Sequence, residues 1–232
     1  MEKCNINSEK IDLISRFFKS VDFDCYYRLE ITDPQLEALK RIRLKCNENC
    51  FYKFIIAASL VAYRLKTNGE TYWNNLSGFD IDPTDPYKSV EMFLIKNREL
   101  ARNAKLKRLS RLKDSDEMLT SGLEDYKRDL GKLYEMLLGI YGASYQKTVS
   151  FACKMFHYGL IAEGIHGTVP KKIPIPLDNR ILKVSKSLGL INGQKNTVCA
   201  LKVWEKVSEK SGIDQLHLDV FVWRKMYSVF VR

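Results

Sequence analysis

From Tyr87 to Val169 the chain contains no proline, and that absence constrains the fold more than any other feature. Proline lacks a backbone donor and clashes with the preceding helical turn, so it ends helices. A long stretch without it, carrying apolar residues at helical spacing, predicts helix after helix. Leu130, Leu133, Tyr134, Leu137, Leu138 and Tyr141 fall at i, i+3, i+4, i+7, i+8 and i+11, which is one apolar stripe. After Gly142, Ala143 and Ser144 the same spacing returns in Val149, Ala152, Cys153, Phe156 and Leu160. Two helices joined by so short a turn make a helical hairpin. Beyond the cluster Pro170, Pro174 and Pro176, the pattern predicts helices over Asp178 to Leu190 and Val198 to Lys210, and a last one from about Gly212 to the C-terminus. The last has the stripe Leu216, Val220, Trp223, Tyr227 and Phe230. The expected fold class is all-α.

With 232 residues, 45% of them hydrophobic, the chain can form one large domain or two joined lobes. Its longest apolar run, Phe54 to Tyr63, is well short of the roughly 18 residues a membrane helix needs. The start lacks a signal-peptide core, so a cytosolic protein with no membrane partner is expected. Six scattered cysteines predict reduced thiols. Only Cys46 and Cys50 are close-spaced, and without a second pair neither zinc nor an iron-sulfur cluster is expected. Lys and Arg number 38 against 28 Asp and Glu, a formal +10 that points to an anionic partner, most often nucleic acid. Most of the excess lies in Lys96, Arg98, Arg102, Lys105, Lys107, Arg108, Arg111 and Lys113, opposed there only by Glu99. Such a run is either a solvated helix face or a phosphate-binding surface, for which Lys105, Lys107, Arg108 and Arg111 are the candidates.

The helix after the hairpin turn has a second face. At 100° per residue Lys147, Phe151, Lys154 and Tyr158 line up opposite the core stripe, two amines alternating with two aromatics. A wet face with chance aromatics is the ordinary explanation. The chemical one is a nucleophilic amine, since an amine attacks carbon only when neutral and an apolar setting favours the neutral form. Small residues in the turn, Gly142 and Ser144, leave backbone N–H groups at the helix start free to bind a phosphate oxygen close to Lys147.

The stretch from Leu138 to Thr148 resembles the helix-hairpin-helix of the DNA glycosylase superfamily, in which a catalytic lysine sits just past the hairpin and a catalytic aspartate follows a Gly/Pro-rich loop. Gln146-Lys147-Thr148 with Pro174-Ile175-Pro176-Leu177-Asp178 resembles most closely the archaeal 8-oxoguanine DNA glycosylase family, AGOG. The likeness extends to Asp33-Pro34-Gln35, to Tyr63-Arg64-Leu65 with Trp73 downstream, and to Leu216-His217-Leu218-Asp219 followed by Trp223, so it spans most of the chain. Two departures are visible. The superfamily's Gly-x-Gly reads Gly142-Ala143-Ser144, and the C-terminal four-cysteine pattern of the endonuclease III branch is absent, so no iron-sulfur cluster is implied.

The resemblance implies a two-lobed single unit: a central lobe of about residues 36–175 with the hairpin at 139–147, a second lobe from residues 1–35 and 176–232, and the cleft between them. It implies base excision repair of DNA damage without metal or cofactor, by a monomer acting on double-stranded DNA that contains oxidised guanine and associated with the nucleoid. Whether single strands are accepted is left open. Lys147 would attack the sugar C1′ and form a Schiff base that permits β-elimination, with Lys154 as the second candidate amine. Asp178 would assist; its position after Pro-Ile-Pro also suits a helix N-cap, and the two roles are compatible. A base within a duplex must be flipped out and stacked, for which Trp73, Phe151 and Trp223 are the platforms, although Trp73 and Trp223 also suit plain core packing. Asp219, one turn from Trp223, and Gln35, otherwise a solvated first-turn residue, would read the base edge. His157, His166 and His217 fit no arrangement. The alternatives are a glycosylase for another damaged base, a non-catalytic helical DNA-binding protein, or a structural bundle.

Overall fold

The computed structural model describes residues 6–142, 145–165, 173–191 and 197–230. It divides into two compact units, residues 31–168 and a unit from both chain ends, residues 1–30 with 169–232. Among the described residues there is no strand, only an isolated antiparallel bridge between Ile6 and Ile191.

The unit of both chain ends begins with α1 (Ser8–Ser20) and α2 (Phe23–Ile31). The central unit follows with α3 (Pro34–Arg43), α4 (Glu48–Leu60), α5 (Gly69–Ser77), α6 (Pro86–Lys96), α7 (Arg102–Lys113), α8 (Asp116–Ser121), α9 (Leu123–Arg128), α10 (Leu130–Tyr141) and α11 (Lys147–Ala162). The chain then returns with α12 (Asn179–Ser187), α13 (Thr197–Ser211), α14 (Gln215–Phe221), a π-helical turn over Val222–Met226, and α15 (Tyr227–Phe230).

Short polar side chains start most of these helices. Asn7, Asp33, Asn47, Asn68, Asp85, Asp129 and Asp178 each accept a bond from a backbone N–H of the first turn, satisfying a donor the helix cannot pair internally. Pro34 and Pro86 sit directly after Asp33 and Asp85, where the missing N–H and fixed φ favour helix.

The core of the central unit is α4, buried on every face from Cys50 to Leu60, packed against α11. They approach closely at Gly159, where a Cβ would stand 2.8 Å from Ile55 Cδ1. Gly142 ends α10 at φ +113° and ψ 146°, a conformation essentially confined to glycine. In the other unit α13 packs on α1, while α12 packs on the π-turn and α15.

Two expectations are corrected. The thiols of Cys25, Cys46, Cys50 and Cys153 are free, but Cys199 is disulfide-bonded rather than reduced; Cys4 lies outside the described residues. The C-terminal helix is not one uniform stripe either. The π-turn inserts a residue, so Val222 and Met226 take the buried positions while Trp223 and Tyr227 are only half-buried and Phe230 is exposed. No described helix is long and apolar enough to cross a membrane.

Candidate active site

The nucleophile candidate is positioned by the hairpin. Gln146 is extended and Lys147 is the first residue of α11, its side chain exposed and without a hydrogen-bond or ion-pair partner among the described residues. Arg108, from α7, holds the residues on either side of it. Its Nη2 donates to Gln146 Oε1 and to Thr148 Oγ1, both at 2.8 Å, and its guanidinium stacks 4.0 Å from the Tyr141 ring centroid. The Gln146 amide donates back to the Tyr141 carbonyl, and Arg111 bonds the carbonyl of Ile140. The start of α11 is thus tied to the end of α10 by Arg108 and by the Gln146 amide, independently of the turn itself. Gly142 is exposed; Ser144, the other expected phosphate contact, lies outside the described residues.

These contacts change the reading of the basic segment. Lys105 is fully buried with its amine 3.2 Å from Glu99 and over the Tyr63 ring. It is therefore removed from the phosphate-binding set: burial outweighs the ion pair and lowers its pKa. Arg108 gives its Nη2 to the hairpin while its buried Nε has no partner among the described residues, and exposed Arg111 gives one bond to the Ile140 carbonyl. Lys107 is exposed and has no ion pair among the described residues. Lys105→Met is expected to lower stability by about 3–5 kcal/mol by stranding buried Glu99, and to leave the salt dependence of DNA binding unchanged, whereas Lys107→Ala lowers that slope by about one. Chemical denaturation and salt titrations check both.

Further along α11, Phe151 is half-buried, Lys154 is 4% exposed with its amine 5.5 Å from the Tyr158 ring centroid, and Tyr158 is fully buried. That face is not a wet one. Tyr158 donates to Asp33 Oδ2 at 3.0 Å, while Asp33 Oδ1 caps α3 at the N–H of Gln35. α11 is thereby linked to Gln35. Gln35 is buried, and its amide nitrogen lies over Gly69, one turn before Trp73 on α5. Two buried polar atoms here have no partner among the described residues: Gln35 Oε1, an acceptor, and Trp73 Nε1, a donor. Buried orphans are rare in folded proteins. Gln35 is therefore not at the solvated position open to it in the sequence, and Trp73 is packed in the core with its Nε1 unused among the described residues.

The other unit carries Asp178, Asp219 and Trp223. Ile173 to Leu177, without regular secondary structure, lead into Asp178, with the N–H of Ile175 held by Gln215 Oε1 at 3.0 Å. Asp178 Oδ1 accepts from the N–H groups of Arg180 (2.8 Å) and Ile181 (3.0 Å), which fixes the carboxylate and leaves Oδ2 without a partner among the described residues. Asp219 is buried on α14. Trp223 lies in the π-turn, a helix type concentrated at functional sites. His217 pairs with buried Glu30 at 2.7 Å, a structural contact; His157 is buried and His166 is outside the described residues. Sequence reasoning missed Arg180, whose guanidinium lies 5.0 Å from the Trp223 ring centroid and 5.5 Å from that of Tyr227. Its only signal was its place two residues after Asp178.

An all-helical protein with a lysine opening the second helix of a hairpin, and a rigid half-capped carboxylate after the next loop, has the parts of a DNA N-glycosylase with lyase activity. Comparison with known proteins gives the family. Residues 15–229 match the family described as AGOG, N-glycosylase/DNA lyase, and the chain belongs to it. An N-glycosylase/DNA lyase of Thermococcus kodakarensis is 31% identical over 95% of this chain and 86% of its own length, and one of Methanococcus maripaludis 30% over 94% and 88%. The crystal structure of the 8-oxoguanine DNA glycosylase of Pyrobaculum aerophilum in complex with 8-oxoguanosine is similar in fold, with a TM-score of 0.80 and 23% identity over 94% of this chain and 87% of that one.

Proposed function

We propose that this protein excises 8-oxoguanine from DNA and then cleaves the strand, with Lys147 as nucleophile and Asp178 as its carboxylate partner. The observation that carries the reading is the orphaned pair Gln35 Oε1 and Trp73 Nε1 in a unit whose α11 presents the unpartnered amine of Lys147. An acceptor and a donor, both dry and both unused, suit a base edge that offers an N–H and a carbonyl. 8-Oxoguanine has N–H at N7 and a carbonyl at C8, whereas guanine has only a lone pair at N7, so Gln35 Oε1 would face it with acceptor against acceptor. That mismatch is the discrimination a buried polar group provides best.

In this reading the Lys147 lone pair attacks C1′ and the glycosidic bond breaks with its electron pair leaving on the base, which takes up a proton. The amine gives its proton to the Asp178 carboxylate. Ring opening gives an imine; loss of a C2′ proton then expels the 3′ phosphate, and water releases the enzyme. Phe151 and Trp223 stack the extruded base, and Asp219 accepts from its remaining edge. Lys154, packed over Tyr158, adds positive charge within the same helix. Exposed backbone at Gly142 and the cation of Lys107 hold phosphates. The protein acts as a monomer on duplex DNA in the nucleoid.

The test is cleavage of duplexes that differ only in carrying 8-oxoguanine, uracil, an alkylated purine or guanine. Preferential cleavage of the 8-oxoguanine strand is expected, and equal or better cleavage of another lesion would reassign the substrate. Gln35→Leu is expected to reduce the preference for 8-oxoguanine over guanine by at least about 100-fold, measured as the ratio of single-turnover rates.

A further inference from the structure

We propose that Arg180 is a positioning residue for the base platform, coupling Trp223 to the Asp178 carboxylate; this rests on the reading of Trp223 as the surface on which the extruded base stacks. Three observations carry it, all within the unit of both chain ends. First, the backbone N–H of Arg180 is one of the two donors fixing Asp178 Oδ1, at 2.8 Å. Second, the side chain of the same residue lies over Trp223 at 5.0 Å and over Tyr227 at 5.5 Å, so one guanidinium spans two rings spaced i, i+4. Third, Trp223 sits in a π-turn and is only half-buried, so core packing alone does not fix its ring. Arg224, next to it, anchors the turn by donating to the Leu29 carbonyl at 3.0 Å.

A planar guanidinium against an indole restricts the ring's rotation more than an ammonium does, because it presents a flat face. It also acts electronically. A cation on one face of an aromatic ring draws π-density toward itself, leaving the opposite face electron-poor and better suited to an electron-rich purine such as 8-oxoguanine. Arg180 touches neither the sugar nor the reacting atoms in this account. Its backbone serves the acid, its side chain serves the platform, and a shift of the first turn of α12 moves both together.

The two half-reactions separate this role from a structural one. Release of 8-oxoguanine needs a stacked base, whereas cleavage of DNA with a preformed abasic site does not. Single-turnover rates of both are measured for wild type, Arg180→Met, Arg180→Lys, Trp223→Ala and the Arg180→Met/Trp223→Ala pair. The ratio of excision to abasic-site cleavage is expected to fall about tenfold in Arg180→Met and by less in Arg180→Lys. The double variant is expected to be no slower than Trp223→Ala, because two residues acting through one ring are not additive. Equal loss of both half-reactions in the Met and Lys variants overturns the assignment, as does an unchanged ratio or a multiplicative loss in the double variant. If Trp223→Ala excises at the wild-type rate, the platform reading itself fails. If Trp223→Ala is slow while the Arg180 variants keep the wild-type ratio, only the role of Arg180 fails.

Discussion

Lys147→Gln is expected to lose base release and strand cleavage by at least about four orders of magnitude, the scale seen when a covalent nucleophile is removed. Borohydride reduction during turnover is expected to trap wild type on 8-oxoguanine DNA and to leave the variant uncoupled, since only an imine between amine and sugar is reducible to a stable adduct. DNA affinity and its salt dependence should hardly change. Lys147 is one cation among many, and the slope of affinity with salt moves by at most about one for each phosphate that is no longer neutralised. Folding should be intact because the side chain is exposed and has no partner among the described residues that Gln would deprive. Lys154→Gln is the control. Its amine is buried against Tyr158, and if this variant is inactive while Lys147→Gln turns over, the nucleophile is Lys154.

Asp178→Asn separates charge from capping. Asn is as good an N-cap as Asp, so the bonds to the Arg180 and Ile181 N–H groups survive and stability should change by no more than about 0.5 kcal/mol. The amide, however, accepts no proton and stabilises no cationic sugar. The excision rate is expected to fall by about 100- to 1,000-fold at saturating enzyme, the usual cost of removing one preorganised electrostatic group. A rate within threefold of wild type, with thermal unfolding unchanged, would reduce Asp178 to a helix cap. The split in its hydrogen bonding makes the experiment informative: Oδ1 does the capping, and Oδ2 has no partner among the described residues.

The residues were legible to different depths. Helix positions followed from periodicity and proline placement because amphipathic spacing is a local property, and α10, α12 and α13 lie where the stripes put them. The N-cap role of Asp178 was equally local. The basic segment misled, because charge in a sequence does not say where a side chain points: Lys105 turns inward to Glu99, and Arg108 folds over Tyr141 to bind Gln146 and Thr148. The π-turn was invisible for the opposite reason. An inserted residue leaves an apolar pattern that still reads as one helix, although it exchanges Trp223 for Val222 and Met226 in the core.

By itself the sequence determined the helical class, the hairpin and its lysine, and the acid at the head of the next helix, since each depends on residues within a few turns of one another. Tertiary structure alone decided which polar groups end without partners. Gln35 Oε1 and Trp73 Nε1, and on the surface the Lys147 amine, are left without a partner among the described residues by what their neighbours from distant segments fail to offer them. Burial makes that failure costly for the first two, and a ligand edge is what would relieve it.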